Sequence, residues 1–395
     1  MTDFIENPGK TMASPAKAIG NLLQKQISEN PNFYLFSPDE TTSNKLDAVY
    51  DVSSRLWNLP IANWDLPESA SGQIVELLSE NILLAMMVGH VLSGEPAMLA
   101  SYESFLTIMT SQLLQHLKFL EQSSQVAWRP DYPALNLLST STCWRQDHNG
   151  FSHQSPMLIS TLLERPGSFV NCLFPIDDIA AGAAFDYMLS TTNVVNLTTF
   201  NKTNEPRWID SAHAKFQLEN GGASVFDFIS DDEPDIVFTA AGDIVSRETI
   251  YAIKILKADI PEIKCRFVGI AALTHDAIGT TKKQLSPEIF EQYFTADKPI
   301  VANFHGYADT LKNILGNYTN LARLDVHGFA EHGSTTTPFE MLSLNSASRY
   351  HLCISVAEKL GRQDLAGKYQ EILDKNTAYA QEAGQDLPEI VDFML

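Results

Sequence analysis

The sequence predicts an α/β protein of two domains, each a mostly parallel sheet with helices on both faces. Short apolar runs typical of strands alternate with longer amphipathic runs typical of helices. The strand runs are apolar throughout, as expected for strands covered on both faces. The chain has 395 residues, of which 44% are hydrophobic, and this is enough for two full cores.

The order of these runs along the chain predicts where the domains lie. The first sheet is predicted from six strand-like runs, which are NFYLFSPD, IVELLSE, AMLASY, ALNLLSTST, SFVNCLFP and VVNLTTF. After Trp208 the sequence becomes polar, and a second series of strands and helices follows it. We therefore expect an N-terminal arm at residues 1–30, a first domain at 31–211 and a second at 212–395.

Composition excludes several classes of function. The net charge of −21 argues against binding to a phosphate backbone, so we expect no nucleic-acid partner. We expect no membrane association, because no apolar run is long enough to span a membrane and the N-terminus lacks a secretory signal. The four cysteines form no CxxC pair, so we expect no metal ligands in this chain and a reducing, cytoplasmic location.

Two predicted strands end in residues suited to a flat, proton-exchanging ligand. Glu80 closes the apolar run IVELLSE, where burial would raise the pKa of its carboxyl and prepare it to share a proton. Alternatively, Glu80 only caps the following helix. Tyr102 and Phe105, at the end of another strand, could flank a planar ring or could be ordinary core aromatics.

The segment WRQDHNGFSHQ, residues 144–154, is the most polar stretch that follows a predicted strand. It comes directly after the apolar run ALNLLSTST and before a predicted helix. Ligands of open α/β sheets bind at the carboxyl ends of the strands, so this loop is a candidate site. The alternative is a polar network that only holds the domains together.

The stretches IVELLSE, SYESF and WRQDHNGFSHQ, together with PGKTMASP, LFSPDETTSNKL, HGY and STTTPFEM, resemble stretches of the phosphoketolases. These are thiamine-diphosphate enzymes. The resemblance covers roughly residues 6–360 and about half of a typical family member. It implies a pyrimidine-binding domain followed by the family's C-terminal domain. The diphosphate-binding signature, Gly-Asp-Gly followed by Asn, is missing, because Gly242 and Asp243 are followed by Ile244.

The resemblance therefore implies a partner. A second chain would bind Mg²⁺ and the diphosphate of thiamine diphosphate, in a heterotetramer or larger assembly. The Met just ahead of the matching region favours a separately encoded subunit over a truncated chain.

The resemblance also assigns roles to individual residues. Glu80 would hydrogen-bond the pyrimidine nitrogen, and Tyr102 and Phe105 would contact the pyrimidine ring. Proton transfer and binding of sugar hydroxyls would fall to Gln146, Asn149 and His153. His153 is the preferred acid–base because an imidazole changes charge near neutral pH, whereas His148 could be structural.

Binding of the substrate phosphate would fall to Ser43, Lys45 and Lys202. Lys45 stands where the family has Arg, which keeps the charge but loses the two-pronged geometry. Ser124 lies near the place of a second family arginine, and Asn81 replaces a usual His. The alternative for both lysines is solvated surface charge.

The reaction implied is cleavage of a ketose phosphate by inorganic phosphate, which gives acetyl phosphate and an aldose phosphate. Two alternatives stay open. The chain could be a non-catalytic scaffold or regulatory subunit of a related thiamine enzyme, which the altered phosphate-site residues favour. It could also belong to a two-subunit transketolase-like enzyme or a 2-oxoacid dehydrogenase component.

Overall fold

The computed structural model describes residues 7–38, 40–65 and 68–393. Asp39 and the first six residues of the predicted arm therefore lie outside the described residues. The strands, in chain order, are β1 (Met12–Ala13), β2 (Tyr34–Ser37), β3 (Arg55–Leu56), β4 (Glu68–Ser69), β5 (Ile74–Glu76), β6 (Ala97–Tyr102), β7 (Leu135–Thr140), β8 (Val170–Leu173), β9 (Val195–Thr199), β10 (Glu205–Pro206), β11 (Ala223–Val225), β12 (Ile236–Ala241), β13 (Cys265–Ile270), β14 (Ala272–Thr274), β15 (Ala277–Ile278), β16 (Ile300–Tyr307) and β17 (Leu324–Phe329).

The α-helices lie between and after these strands. They are α1 (Pro15–Glu29), α2 (Glu80–Leu92), α3 (Thr110–Ser123), α4 (Met157–Leu163), α5 (Asp178–Leu189), α6 (Ser211–Glu219), α7 (Asp243–Asp259), α8 (Pro287–Phe294), α9 (Ala308–Gly316), α10 (Pro338–Leu344), α11 (Arg349–Lys359), α12 (Gln363–Ala383) and α13 (Pro388–Val391). None of the helices described is both long and apolar enough to cross a membrane.

Two sheets organise the molecule, as the alternating pattern predicts. The larger has the order β15-β14-β8-β9-β7-β6-β2-β5-β3-β4 and is parallel from β8 to β4. The smaller has the order β11-β13-β12-β16-β17 and is parallel except for β11. One apolar cluster includes α1, α5, α7 and α11, and a second includes α2, α3, α4 and α9. The predicted fold class is confirmed.

The large sheet draws strands from both halves of the chain. β14 pairs antiparallel with β8, matching Leu273 with Cys172, and β15 extends the edge further. Both strands come after the boundary that we predict at residue 211. The two sheets therefore do not divide at residue 211. The domain boundary at that residue stays a prediction.

Within the predicted N-terminal arm, residues 15–29 form the docked helix α1. Ser14 caps the helix, because its Oγ accepts a hydrogen bond from the backbone N–H of Lys17. Ile19, Leu23 and Ile27 recur every four residues and are buried in the core. The helix packs against α5, so this segment belongs to the first apolar cluster.

The strand predicted to end at Glu80 is shorter than expected. β5 ends at Glu76, and Ser79 caps α2, of which Glu80 is the first residue. Leu77 is 40% exposed and Leu78 is 83% exposed, so these apolar residues are not part of a buried strand. Glu80 therefore occupies the helix-start position that was the alternative reading.

Docking of α1 is testable by mutation. Leu23 is fully buried, so Leu23→Ala should lower the free energy of unfolding by about 2–5 kcal/mol through lost apolar contact and a residual cavity. Lys25→Ala, on the exposed side of the same helix, is the control and should have little effect. Urea unfolding measures both changes. Equal stability of the two variants would contradict the docked helix.

Candidate active site

The candidate residues gather at one edge of the large sheet. β9, β7, β6, β2 and β5 are neighbours in that order and run parallel, so their carboxyl ends meet. The segments that follow these ends carry all the residues that the sequence singles out. This is the edge at which α/β proteins bind ligands.

Tyr102, the last residue of β6, is the centre of this group. Its hydroxyl donates a hydrogen bond to Ser43 Oγ at 3.1 Å, and Lys202 Nζ lies 5.0 Å from its ring centroid. Phe105 stacks on it with 5.9 Å between centroids and 8° between planes, and the His153 ring lies 5.1 Å from Phe105. The structure thus brings together five predicted residues that come from four separate segments of the chain.

The two aromatic rings offer a surface for a planar ligand. Both Tyr102 and Phe105 are half-buried, so each keeps part of its ring accessible. Their centroid separation of 5.9 Å is too short to admit a third ring between them, since two stacking distances need about 7 Å. A planar group would therefore lie against the outside of the pair.

A pair of carboxylates lies beside the aromatic pair. Glu40 accepts a hydrogen bond from the backbone N–H of Tyr102 at 2.9 Å. Burial raises the pKa of Glu40 to about 7, and the nearby negative charge of Glu80 adds to this rise, while the Tyr102 N–H and Lys202 oppose it. Glu40 was not predicted from sequence, although it lies in the quoted stretch LFSPDETTSNKL.

The burial expected at Glu80 is found at Glu40 instead. Glu80 is only half-buried in this chain because it begins α2 at the surface of the sheet edge. Its neighbour Ile82 is 53% exposed. Desolvation of Glu80 would therefore require a further molecule to cover this edge.

The loop of residues 143–154 holds a second pair of predicted residues. Asn149 Nδ2 donates to Gln146 Oε1 at 2.6 Å, and Gln146 Nε2 donates to the carbonyl of Ser141 at 2.9 Å. Gln146 is fully buried and Asn149 is exposed. Gln146 was predicted to act on a ligand directly, but both ends of its amide are engaged within the loop. Its geometry is that of a residue that positions Asn149.

The other polar residues of this region have simpler surroundings. His153 Nδ1 lies 2.9 Å from Ser152 Oγ, and His148 is exposed. Lys45 is exposed and has a φ of 64°, an uncommon conformation for a residue other than Gly. Its predicted partner Ser43 joins the Tyr102 group through its hydroxyl. The structure thus connects Ser43 and Lys202 to Tyr102, whereas Lys45 is exposed.

The segment STTTP holds the loop from the side of the C-terminal half. Gln154 Nε2 donates to the carbonyl of Ser334 at 3.1 Å, and the N–H of Thr336 donates to the carbonyl of Asp147 at 3.0 Å. A Cβ atom at position 333 would lie 1.9 Å from Gln154 Oε1, so a larger residue there would displace the Gln154 side chain. The sequence reveals the motif but not this contact.

A buried charged pair links the same loop to the small sheet. His305, in β16, lies with Nε2 2.7 Å from Glu103 Oε1, and both side chains are almost fully buried. Glu103 Oε2 also accepts from the backbone N–H of Cys143 at 2.7 Å, and Trp144 Nε1 donates to the His305 carbonyl at 2.9 Å. Neither Glu103 nor His305 was predicted as a site residue, though HGY was a quoted motif.

This pair has the composition of a metal site but is already internally bonded. Ligand atoms of Glu103, Cys143 and His305 lie within 4.8 Å of one another. Burial by itself lowers the pKa of His305, but the Glu103 carboxylate offsets this and the pKa is raised overall. Burial raises the pKa of the Cys143 thiol well above its ordinary value. Glu103 thus engages His305 Nε2, while His305 Nδ1 is buried without a hydrogen-bond partner among the described residues.

Gly242 and Asp243, inspected for the diphosphate signature, have a structural role. Asp243 begins α7 and is buried, and its Oδ2 accepts from both the backbone N–H and the side-chain amide of Asn201. Burial raises the pKa of this carboxyl to about 6. The carboxylate is thus committed within the chain and is not placed to bind a metal–diphosphate group.

Titration of Glu40 should make stability depend on pH. Because its pKa is raised from the ordinary value, wild-type stability falls as pH rises towards and through about 7. Glu40→Gln removes the buried charge, so it should be more stable than wild type at about pH 8.5 and similar at about pH 5. Thermal unfolding at both pH values measures this. A stability difference that does not change with pH would contradict the burial of a charged Glu40.

The Glu103–His305 pair should also give a stability that falls as pH rises. The raised pKa of His305 means that its contribution is complete below the unfolded value of about 6.5 and is lost as pH rises through the folded pKa. At low pH, His305→Gln should cost about 3–5 kcal/mol because it leaves Glu103 buried without a charged partner.

Urea unfolding across pH tests this second expectation, with exposed His148→Gln as the control. The difference in the free energy of unfolding between wild type and His305→Gln should become smaller towards alkaline pH. If this difference does not change with pH, His305 stabilises the protein through packing and not through its charge.

Comparison with known proteins finds a family that matches both parts of this chain. Residues 17–191 match the family model of D-xylulose 5-phosphate/D-fructose 6-phosphate phosphoketolase, and residues 202–395 match the model of its C-terminal domain. A probable phosphoketolase of Bradyrhizobium diazoefficiens is 35% identical over 402 residues, which cover 99% of this chain and 50% of that protein. One of Rhodopseudomonas palustris is 35% identical over 399 residues, covering 98% of this chain and 51% of that protein.

Solved structures resemble this chain in fold. A transketolase of Pichia stipitis gives a TM-score of 0.67 at 16% identity, covering 90% of this chain and 47% of that one. A split-gene transketolase, described as an inactive β4 tetramer, gives a TM-score of 0.59 at 15% identity, covering 87% of this chain and 97% of that one. This chain spans about half the length of the curated relatives that it matches.

Proposed function

The chain belongs to the phosphoketolase family, and we propose that it is one subunit of a thiamine-diphosphate-dependent enzyme. The proposed reaction cleaves a ketose phosphate with inorganic phosphate and gives acetyl phosphate and an aldose phosphate. The observation that carries the proposal is the Tyr102 group at the sheet edge, next to the Glu40–Glu80 carboxylates. A cytoplasmic location follows from this metabolic role and from the four free, buried thiols.

The residues present fit the pyrimidine end of thiamine diphosphate. The outer face of the Tyr102–Phe105 pair suits a flat ring, and Glu80 offers a carboxylate beside it. When bound, the cofactor supplies the carbon nucleophile that breaks the carbon–carbon bond of the sugar. Glu80 would share a proton with a pyrimidine nitrogen.

The other residues would act on the sugar phosphate. His153, beside Phe105, would give or take protons at substrate oxygens, and Asn149, positioned by Gln146, would donate to a hydroxyl. Ser43, bonded to the Tyr102 hydroxyl, and Lys202, over the Tyr102 ring, would bind the phosphate together with exposed Lys45. Lys202 carries the charge that this role requires, and the cation–π contact holds its Nζ near the site.

A partner chain would supply Mg²⁺ and the groups that bind the diphosphate. Asp243 is engaged by Asn201, so the Gly-Asp of this chain does not serve that purpose. Leu78 and Ile82 flank Glu80 and are 83% and 53% exposed, and such apolar exposure beside a half-buried carboxylate suits a covering protein surface. The split-gene transketolase, whose chain this one nearly covers, is a precedent for such a division. We propose a heterotetramer or larger.

Reconstitution tests the proposal. The chain is co-expressed with a diphosphate-domain chain from the same source, and acetyl phosphate is measured with D-xylulose 5-phosphate or D-fructose 6-phosphate. Glu80→Gln should lower kcat at least about 100-fold, as expected for loss of an essential proton-sharing group. Glu29→Gln, which removes an exposed carboxylate at the end of α1, is the matched control and should keep full activity.

The outcomes separate the alternatives. Turnover that Glu80→Gln leaves unchanged would assign this chain a scaffold role. Products that form without phosphate, by transfer of a two-carbon unit to an aldose, would indicate a transketolase-like reaction. Full activity of this chain without the second chain would refute the partner.

A further inference from the structure

A cavity of about 340 Å³ lies behind the loop of residues 143–154. None of the candidate active-site residues lines it. Three arginines from separate segments do: Arg145, Arg247 and Arg349. Much of the remaining wall is apolar or aromatic, from Tyr251, Phe339 and Phe393. Its volume is in the range of small-molecule sites.

The acidic groups around the cavity are already bound within the protein. Glu205 accepts from Arg247 Nη1 at 2.6 Å. Asp386, the other carboxylate in the wall, accepts from the N–H of Phe339 at 2.9 Å and from the hydroxyl of Thr337. Glu248, which lies behind the wall, takes the Nε and Nη2 of Arg349 at 2.8 Å each. Arg247 and Arg349 are therefore each paired with a carboxylate, whereas Arg145 has no carboxylate partner among the described residues.

Two guanidinium groups in the wall keep unused donors. Arg349 is only 4% exposed, and its Nη1 is buried with no hydrogen-bond partner in the described chain. Arg145 is half-buried, and its side chain has no hydrogen bond or ion pair within residues 7–38, 40–65 and 68–393. A buried donor without a partner costs stability, so it indicates a missing acceptor.

Arg349 is also held rigidly in place. Its Cζ lies 4.5 Å from the ring centroid of Tyr251 and 5.0 Å from that of Phe393. With Glu248 on one edge and aromatic rings against its faces, the guanidinium has little freedom to turn its free nitrogen towards other protein groups. Among residues 7–38, 40–65 and 68–393, no group supplies an acceptor for this nitrogen.

We propose that this cavity binds a small organic oxyanion with a planar, apolar body. Its carboxylate or phosphate head is held by Arg145 and Arg349, whose planar groups match such heads in geometry and charge. Its body lies against the aromatic wall formed by Phe339 and Phe393. Because Arg145 directly precedes Gln146, an occupant also contacts the base of the loop that carries Asn149 and His153.

Calorimetric titration of the full chain with benzoate and with benzamide tests this at constant ionic strength. The two probes share shape, but only benzoate carries the charge. Benzoate should bind and benzamide should not. Arg145→Gln should lower the affinity for benzoate about tenfold or more. Arg145→Lys should lower it less, because lysine keeps the charge but loses the paired donors of arginine.

Two control variants make the result specific. Arg362→Gln removes one arginine at the exposed start of α12, away from the cavity wall, and should leave benzoate binding unchanged. Lys202→Gln alters the proposed substrate-phosphate position and should also leave it unchanged, which separates this cavity from the proposed function. No saturable benzoate binding, equal affinity for benzamide, or equal affinity in Arg145→Gln would overturn the proposal.

Discussion

The buried pair of Glu103 and His305 is the contact on which the rest of the structure depends. Removing two charged groups from water is costly, and good geometry with additional hydrogen bonds offsets that cost. His305 Nδ1 is buried without a hydrogen-bond partner among the described residues, so the offset comes from other atoms of the two residues. Here the carboxylate also accepts the N–H of Cys143, and the His305 carbonyl accepts the indole N–H of Trp144. One pair therefore fixes the end of β6, the start of the polar loop and the small sheet together.

The position of Tyr102 shows why this matters for the candidate site. Tyr102 ends β6, and Glu103 follows it directly in the turn after the strand. Tyr102 contacts Ser43 and Lys202, while Glu103 contacts His305. The orientation of the aromatic surface is thus tied to the packing of the two sheets against each other.

Sequence patterns predicted the features that depend on local periodicity. The apolar strand runs and intervening helices gave the α/β class, and parallel topology placed the strand-end residues at one edge. Glu80 was misplaced because Leu77 and Leu78 extend the apolar run, and a pattern cannot show that these two side chains face solvent. The helix α1 was missed because its apolar positions are spaced among Lys and Gln residues and were not counted as a face.

Residues that depend on distant partners could not be predicted in this way. Glu103 and His305 are separated by 202 positions, and no local spacing announces their contact. Glu40 acquires its raised pKa only because folding buries it and brings Glu80 close. Arg145 stood inside the most conspicuous motif, yet its side chain, which has no partner among the described residues, has meaning only beside Arg349, which comes from α11.

The pairing of β14 with β8 has a consequence for the order of folding. β8 is bordered by β9 on one side, and its other side is filled only by a strand that begins at Ala272. While the chain emerges from the ribosome, the nascent first sheet therefore presents an open edge for about a hundred residues of further synthesis, and such edges invite pairing with other chains. The fold is closed from its far half, so the first sheet cannot be finished as an independent piece.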